Sequence, residues 1–199
     1  PAIVTFAMSL GTKRMAEHNA LVRDLPVVAS LGSVDIICSD KTGTLTANQM
    51  TVQKAYEIDH IIDISGDGYH ESGEWHSQTH HNFRLDDLDL LLGCGIVCND
   101  ASMTMEDGKP KFTGDPTEIA LLVSAKKAEK DLDFEKGKWT RTDEIPFTSE
   151  RRRMTTIYKS EKDGIVAFSK GTPEVIVNTC SIVMINGEEK PFTDEMKKK

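Results

Sequence analysis

An α/β opening followed by antiparallel sheet with helices is the fold class this sequence predicts, on three observations. The apolar run Val34-Asp35-Ile36-Ile37-Cys38-Ser39 ends in the carboxylate of Asp40, and the small-residue string Lys41-Thr42-Gly43-Thr44-Leu45-Thr46 follows. A carboxylate at the C-terminal end of a buried strand sits where open α/β sheets do their chemistry. Two alternating stretches, Arg153 to Tyr158 and Ile165 to Lys170, joined by Lys162-Asp163-Gly164, make the pattern of an antiparallel hairpin. Asp115-Pro116-Thr117-Glu118 opens a helix, with Asp as cap, Pro in the first turn and Glu at the third position.

Along the chain, residues 1–20 favour helix, and Leu25-Pro26 breaks it. The strand 34–39 comes next. Val52 to Ile64 holds short β-rich stretches, and Ser65 to His81 reads as a polar loop rich in Gly, His and Ser. Leu85 to Val97 is apolar at helical spacing, with Asp86 and Asp87 where a helix dipole favours acids. In the helix after Asp115, Ile119, Leu122 and Val123 form a buried stripe. Thr172-Pro173-Glu174 starts a short helix, and Ile182 to Ile185 turns at Asn186-Gly187, a favoured two-residue hairpin turn. Thr193 can cap a further helix start, with acids in its first turn.

Bulk properties narrow the function. At 199 residues, 38% hydrophobic and 28% charged, the chain can bury a real core in one domain or two. A net charge of -8 argues against nucleic acid, whose phosphates reward Lys and Arg. It leaves nucleotide binding open, because a few local cations suffice. Cys38, Cys94, Cys98 and Cys180 lack the paired spacing of a zinc site and read as reduced thiols. His70, His76, His80 and His81 cluster in the polar loop, where irregular spacing favours solvation over metal binding. The apolar start, PAIVTFAMSL, followed by Thr12-Lys13-Arg14, suits a buried helix or the cytosolic end of a membrane helix. Both ends read as cuts within a longer polypeptide.

The chemistry centres on Asp40, a carboxylate able to attack a phosphoryl group. Gly43 lets the backbone approach a phosphate, and Thr42 and Thr44 offer hydroxyls and N–H donors. Elsewhere single residues carry two readings. Glu118 completes a capping box or meets a ligand. Phe147, after Pro146, is core or a stacking platform. In Arg151-Arg152-Arg153, a two-residue period puts Arg152 on the opposite side from its neighbours, as a solvated group or a ligand cation. Lys170 is a surface lysine at a strand end, or a cation beside a helix start suited to a phosphate.

Asp-Lys-Thr-Gly-Thr-Leu-Thr at residues 40–46 is the phosphorylation motif of P-type ATPases, and three further blocks resemble that family's nucleotide-binding domain in family order. Gly114 to Leu121 is similar to the block whose Glu lies near the adenine amino group. Phe147-Thr148-Ser149-Glu150-Arg151-Arg152-Arg153-Met154 resembles the segment whose Phe stacks on adenine and whose cation meets the nucleotide. Lys170-Gly171-Thr172-Pro173-Glu174 looks like a Lys-Gly-Ala-Pro-Glu signature, with Thr172 in place of Ala. Gly11 to Ala16 and Asn19 to Arg23 are similar to the stalk after the fourth membrane helix.

The resemblance, best to the calcium-pump-like branch, implies a partial haloacid-dehalogenase-like, Rossmann-like phosphorylation domain. An antiparallel-sheet nucleotide-binding domain flanked by helices is inserted in it. Residues 1–24 would be the end of membrane helix four and its stalk, 25–51 the start of the phosphorylation domain, and 52–199 most of the nucleotide-binding domain. It implies catalytic roles for Asp40, Lys41, Thr42, Gly43 and Thr44, and nucleotide contacts from Glu118, Phe147, Arg152, Lys170 and Gly171. Magnesium contacts would come from Asp40 and the Thr42 carbonyl, with the remaining acid outside this stretch. The implied partners are ATP, a transported cation (calcium first, with sodium, proton or magnesium open), and the actuator and membrane domains of the same polypeptide. The parent would be a multi-pass membrane protein with this part on the cytoplasmic side.

Gly66-Asp67-Gly68 imitates a second family block, but no Asn-Asp follows it, so it reads as a turn. Related phosphatases place an acid two residues after the nucleophile, where this chain has Thr42, so a phosphoenzyme would persist. Two rivals remain: a soluble phosphatase of the same superfamily, and a nucleotide-binding module without catalysis.

Overall fold

The computed structural model describes residues 2–58, 60–78, 84–160, 164–185 and 188–198. These residues form two units, Pro1–Ala47 and Asn48–Lys199.

In the first unit, helix α1 (Ala2–Glu17) ends where Asn19 takes the left-handed backbone (φ 61°). Asn tolerates that conformation, and the Ala20 N–H closes back on the Met15 carbonyl. Helix α2 (Leu25–Leu31) then begins with Pro26 in its first turn, where a missing N–H costs nothing. Pro26 therefore starts a helix, and the break anticipated there lies earlier, in the 18–24 segment. The run 34–39, expected as a strand, joins no sheet among the described residues. Ile36 and Ile37 are 80% and 86% exposed. A strand needs a neighbour for its N–H and C=O groups, and among the described residues of this unit no strand is formed to supply one. Among the described residues the first fifty thus form two helices and a turn, and the expected strand is not formed. Among the described residues, no helix is long and apolar enough to cross a membrane.

The second unit contains the core. Strands β1 (Lys54–Glu57), β2 (His60–Ile64) and β3 (Trp75–Ser77) form an antiparallel sheet in that order. β3 lies inside the expected polar loop, because Trp75 and Ser77 supply a two-residue period that the surrounding Gly and His obscure. Residues 85–88 make a 3-10 turn that runs into α3 (Asp89–Val97). A hairpin follows, β4 (Ser102–Glu106) and β5 (Lys109–Thr113), turning at Asp107-Gly108 with both residues at positive φ (52° and 74°). Helices α4 (Pro116–Lys127) and α5 (Leu132–Gly137) come next. A second antiparallel sheet has the order β6 (Thr140–Ile145), β7 (Arg153–Ser160), β8 (Gly164–Gly171). The β7–β8 register, Arg153 opposite Gly171 and Ser160 opposite Gly164, is that of the expected hairpin. Helix α6 (Pro173–Thr179) and the hairpin β9 (Ile182–Ile185) and β10 (Glu188–Pro191) complete the unit. Lys162 and Asp163, the turn Asn186-Gly187, and His80 and His81 lie outside the described residues.

Burial centres on α3 and α4. Ile96, Ala101, Ile119, Leu122, Val123, Ala125 and Leu132 form one cluster, and Ile62, Leu88, Leu92 and Ala128 a second. The stripe expected from Ile119, Leu122 and Val123 is buried as the 3.6-residue period requires. Sheet β6–β8 is tied to α3 by Tyr158, whose hydroxyl donates to the Val97 carbonyl at 2.5 Å. Lys127 is buried, and its Nζ donates to the carbonyls of Ser65 (2.8 Å) and Gly66 (3.1 Å), anchoring the glycine-rich segment to α4. Desolvation pushes the Lys127 pKa down, which the nearby charge of Asp67 only partly offsets.

Candidate functional site

The N-terminus of α4 places the first functional side chain. Asp115 caps the helix by accepting the Thr117 N–H at 2.8 Å. Glu118, one turn in, does not reach back as a capping box would have it. Its Oε1 accepts from Lys170 Nζ at 2.5 Å, and its Oε2 from the Asp100 N–H at 3.3 Å. The reason is charge. A half-buried lysine at the end of β8 is a stronger donor than the cap N–H, and both side chains are largely covered, at 15% and 23% exposure.

These groups line a cavity of about 770 Å³ together with Asp115, Leu121, Phe147, Met154 and Gly171. Phe147 is 57% exposed, so it is not core and offers a ring face. Its loop is steadied by Arg151, whose Nη1 donates to the Pro146 carbonyl at 3.1 Å. Gly171 is where two strands come closest: a Cβ there would lie 2.3 Å from the Arg152 carbonyl oxygen. Behind the cavity, the Cys94 thiol lies 3.7 Å from the Ser169 carbonyl, and burial pushes its pKa up to about 11.

Arg152 departs from expectation. It precedes β7 rather than alternating within it, and takes φ 49°. Its N–H donates to Thr148 O at 2.7 Å and its carbonyl accepts from the Thr172 N–H at 3.0 Å. A tight turn, not a strand period, sets its direction. Its side chain is exposed and does not line the cavity. Lys170 likewise faces Glu118 rather than the start of α6.

Asp40 belongs to the other unit. Residues 40–46 close on themselves: the Thr42 N–H donates to Asp40 Oδ1 (3.4 Å), and the Thr46 N–H to the Lys41 carbonyl (3.1 Å). Gly43 sits at φ 77°, a left-handed position that Thr or Lys would resist. Asp40, Lys41, Thr42, Gly43 and Thr44 are all exposed. Among the described residues no three His, Cys, Asp or Glu side chains gather as a metal site.

Sequence reasoning missed Asn99 and Asp100. Buried Asn99 donates through Nδ2 to the carbonyls of Gly95 and Glu118, both at 2.9 Å, and its Oδ1 accepts the Ala101 N–H at 2.8 Å. It joins the end of α3 to the start of α4. The available signal was an Asn-Asp pair directly after an apolar helical run, a turn-forming combination.

Comparison with known proteins agrees with this architecture. The family described as P-type ATPase, cytoplasmic domain N, matches residues 87–199. A calcium-transporting ATPase of Listeria monocytogenes is 37% identical over 195 residues, which cover 98% of this chain and 20% of that protein. The cation-transporting ATPase pma1 of Synechocystis is 39% identical over 193 residues, covering 94% and 21%. The human calcium-transporting ATPase type 2C member 1 is 33% identical over 203 residues, covering 99% and 21%. The chain belongs to the P-type ATPase family, and its second unit has the mixed helix and antiparallel sheet of the family's cytoplasmic nucleotide domain. It spans about a fifth of the length of the curated relatives it matches.

Proposed function

We propose that the second unit binds ATP in the Glu118–Phe147–Lys170 cavity, and that Asp40 accepts the γ-phosphoryl group within an ATP-driven cation pump. What carries the reading is that three motif residues from separate segments line one cavity. Relatives named as calcium-transporting ATPases support it and favour calcium as the cation. The exposed face of Phe147 suits stacking on adenine, an interaction of about 1–3 kcal/mol per base. Glu118, ion-paired with Lys170, is an acceptor for the adenine 6-amino group. Gly171 keeps the cavity wall free of a side chain, and exposed Arg152 is free to reach polyphosphate.

In the transfer step an Asp40 carboxylate oxygen attacks the γ-phosphorus. An acyl-phosphate bond forms, the bond from that phosphorus to the bridging oxygen breaks, and its electron pair leaves with ADP. Lys41, Thr42, Gly43 and Thr44 shape the turn around the carboxylate, and Thr42 stands where a hydrolytic acid would otherwise be. The phosphoenzyme therefore lasts. In this reading residues 1–24 are stalk and the end of a membrane helix, 25–51 the start of a haloacid-dehalogenase-like phosphorylation domain, and 52–199 nucleotide-binding domain. The 199-residue chain alone is expected to release no phosphate in steady turnover.

Calorimetric titration of the 199-residue chain with ATP tests the cavity. Lys170→Ala is expected to weaken binding by roughly tenfold to a hundredfold, the range for losing a charged hydrogen bond. Unchanged affinity would remove the cavity from this role. In the pump, Asp40→Asn is expected to abolish acid-stable labelling from γ-labelled ATP. Labelling that persists would exclude Asp40 as the nucleophile.

A further inference from the structure

Glu118 is held from two sides, and only one of them is a recognisable motif. The second side is a relay. The Asp100 N–H donates to Glu118 Oε2 at 3.3 Å, and Asp100 Oδ1 in turn accepts from Arg141 Nη1 at 2.9 Å. Arg141 Nη2 also pairs with Glu144. Asp100 lines the cavity with Glu118, while Arg141 stands behind it.

Arg141 is aimed at Asp100 by an irregularity in its strand. The register between β6 and β7 shifts between Arg141 and Asp143, and such bulges re-aim a side chain by interrupting the alternation. Burial opposes the guanidinium charge, but the hydrogen bond and charge of Asp100, with smaller contributions from Tyr158 and Glu144, outweigh it and push its pKa up. The Asp100 segment is fixed from the other side by Asn99, whose Nδ2 holds the Glu118 carbonyl. Side chain and backbone of Glu118 are thus both tied to residues 99–100, and among the described residues the cation paired with Asp100 is Arg141.

We infer that Arg141 is a positioning residue for base selection: by fixing Asp100 it fixes Glu118, so that the carboxylate presents one set acceptor to a purine bearing a 6-amino group. The inference rests on the proposed nucleotide role of the cavity. An acceptor held in place favours an amino donor and repels an oxo group. One left to swing distinguishes them less, because it can turn away from the oxo oxygen and no longer meets the amino group squarely.

The test compares ATP with inosine triphosphate, in which an oxo group replaces the 6-amino group, by calorimetry on the 199-residue chain. Wild type is expected to prefer ATP. Arg141→Gln is expected to weaken ATP binding about tenfold while leaving inosine triphosphate nearly unchanged, as loss of one oriented hydrogen bond does. Arg141→Lys, which keeps a cation for Asp100, is expected to restore most of the preference. A merely structural arginine would lower both affinities together, and that result, or an unaltered ATP preference in Arg141→Gln, overturns the inference while leaving the cavity assignment standing. If wild type binds both nucleotides alike, base selection falls while the nucleotide reading stands; if it binds neither, the nucleotide reading falls and takes this inference with it.

Discussion

Residues 2–47 and 48–198 treat apolar side chains in opposite ways. In the first unit no described residue is buried, and Ile36 and Ile37 next to Asp40 lie open. In the second, Ile62, Ile96 and Leu122 have no exposed surface, and the cavity residues stand on elements that pack against that core. The contrast teaches where each site gets its order. Glu118, Lys170 and Asp100 are held by one another and by the helices beneath them. Asp40 is held by its own seven-residue turn, whose bonds span no more than five positions. A cavity is built into the second unit, whereas the Asp40 carboxylate of the first has a local shape and pairs with no strand among the described residues.

The largest expected effect breaks the contrast if it fails. Leu122→Ala removes a side chain with no exposed surface and is expected to cost the second unit about 2–5 kcal/mol of stability. Ile37→Ala, in the first unit, is expected to leave the urea midpoint of the chain unchanged. Equal losses would mean that both regions share one core.

The cysteines sharpen the same point at intermediate size. Cys38 is exposed and Cys94 half-buried against β8. With its pKa raised from 9.0 to about 11, the Cys94 thiol ionises about a hundredfold less than an ordinary thiol near pH 8. Mass-resolved alkylation at that pH is expected to label Cys38 first, and early labelling of Cys94 would contradict its burial. The linkage has a definite sign. A pKa raised by folding gives stability that is complete below pH 9.0 and declines as pH climbs toward about 11.

The smallest effect concerns Thr172. Its Oγ1 is buried with no hydrogen-bond partner among the described residues. Thr172→Ala relieves that unmet hydroxyl and is expected to stabilise the second unit by about 1 kcal/mol. A lower melting temperature would show that the hydroxyl has a partner after all.

Local features were legible because their causes lie within a few residues. Asp115 caps α4 through a bond to Thr117, two positions on. The β7–β8 hairpin follows from alternation, and Gly43 occupies the one position of its turn that demands a positive φ. The family motifs named Glu118, Phe147 and Lys170 in advance. The β4–β5 hairpin, α5 and β6 were not read; β4 and β6 are mostly exposed and give little alternation.

By itself, then, the sequence determined the turn around Asp40, the start of α4, the β7–β8 register and the family to which the chain belongs. Tertiary structure alone decided that Glu118 pairs with Lys170, 52 positions away, that Asp100 and Arg141 form a relay across 41, and that residues 34–39 join no strand among the described residues. The physical reason is range. Caps and turns are settled by dihedral preference and hydrogen bonds over a few residues. An ion pair or a strand partner depends on which distant segment burial brings alongside, and no local pattern encodes that.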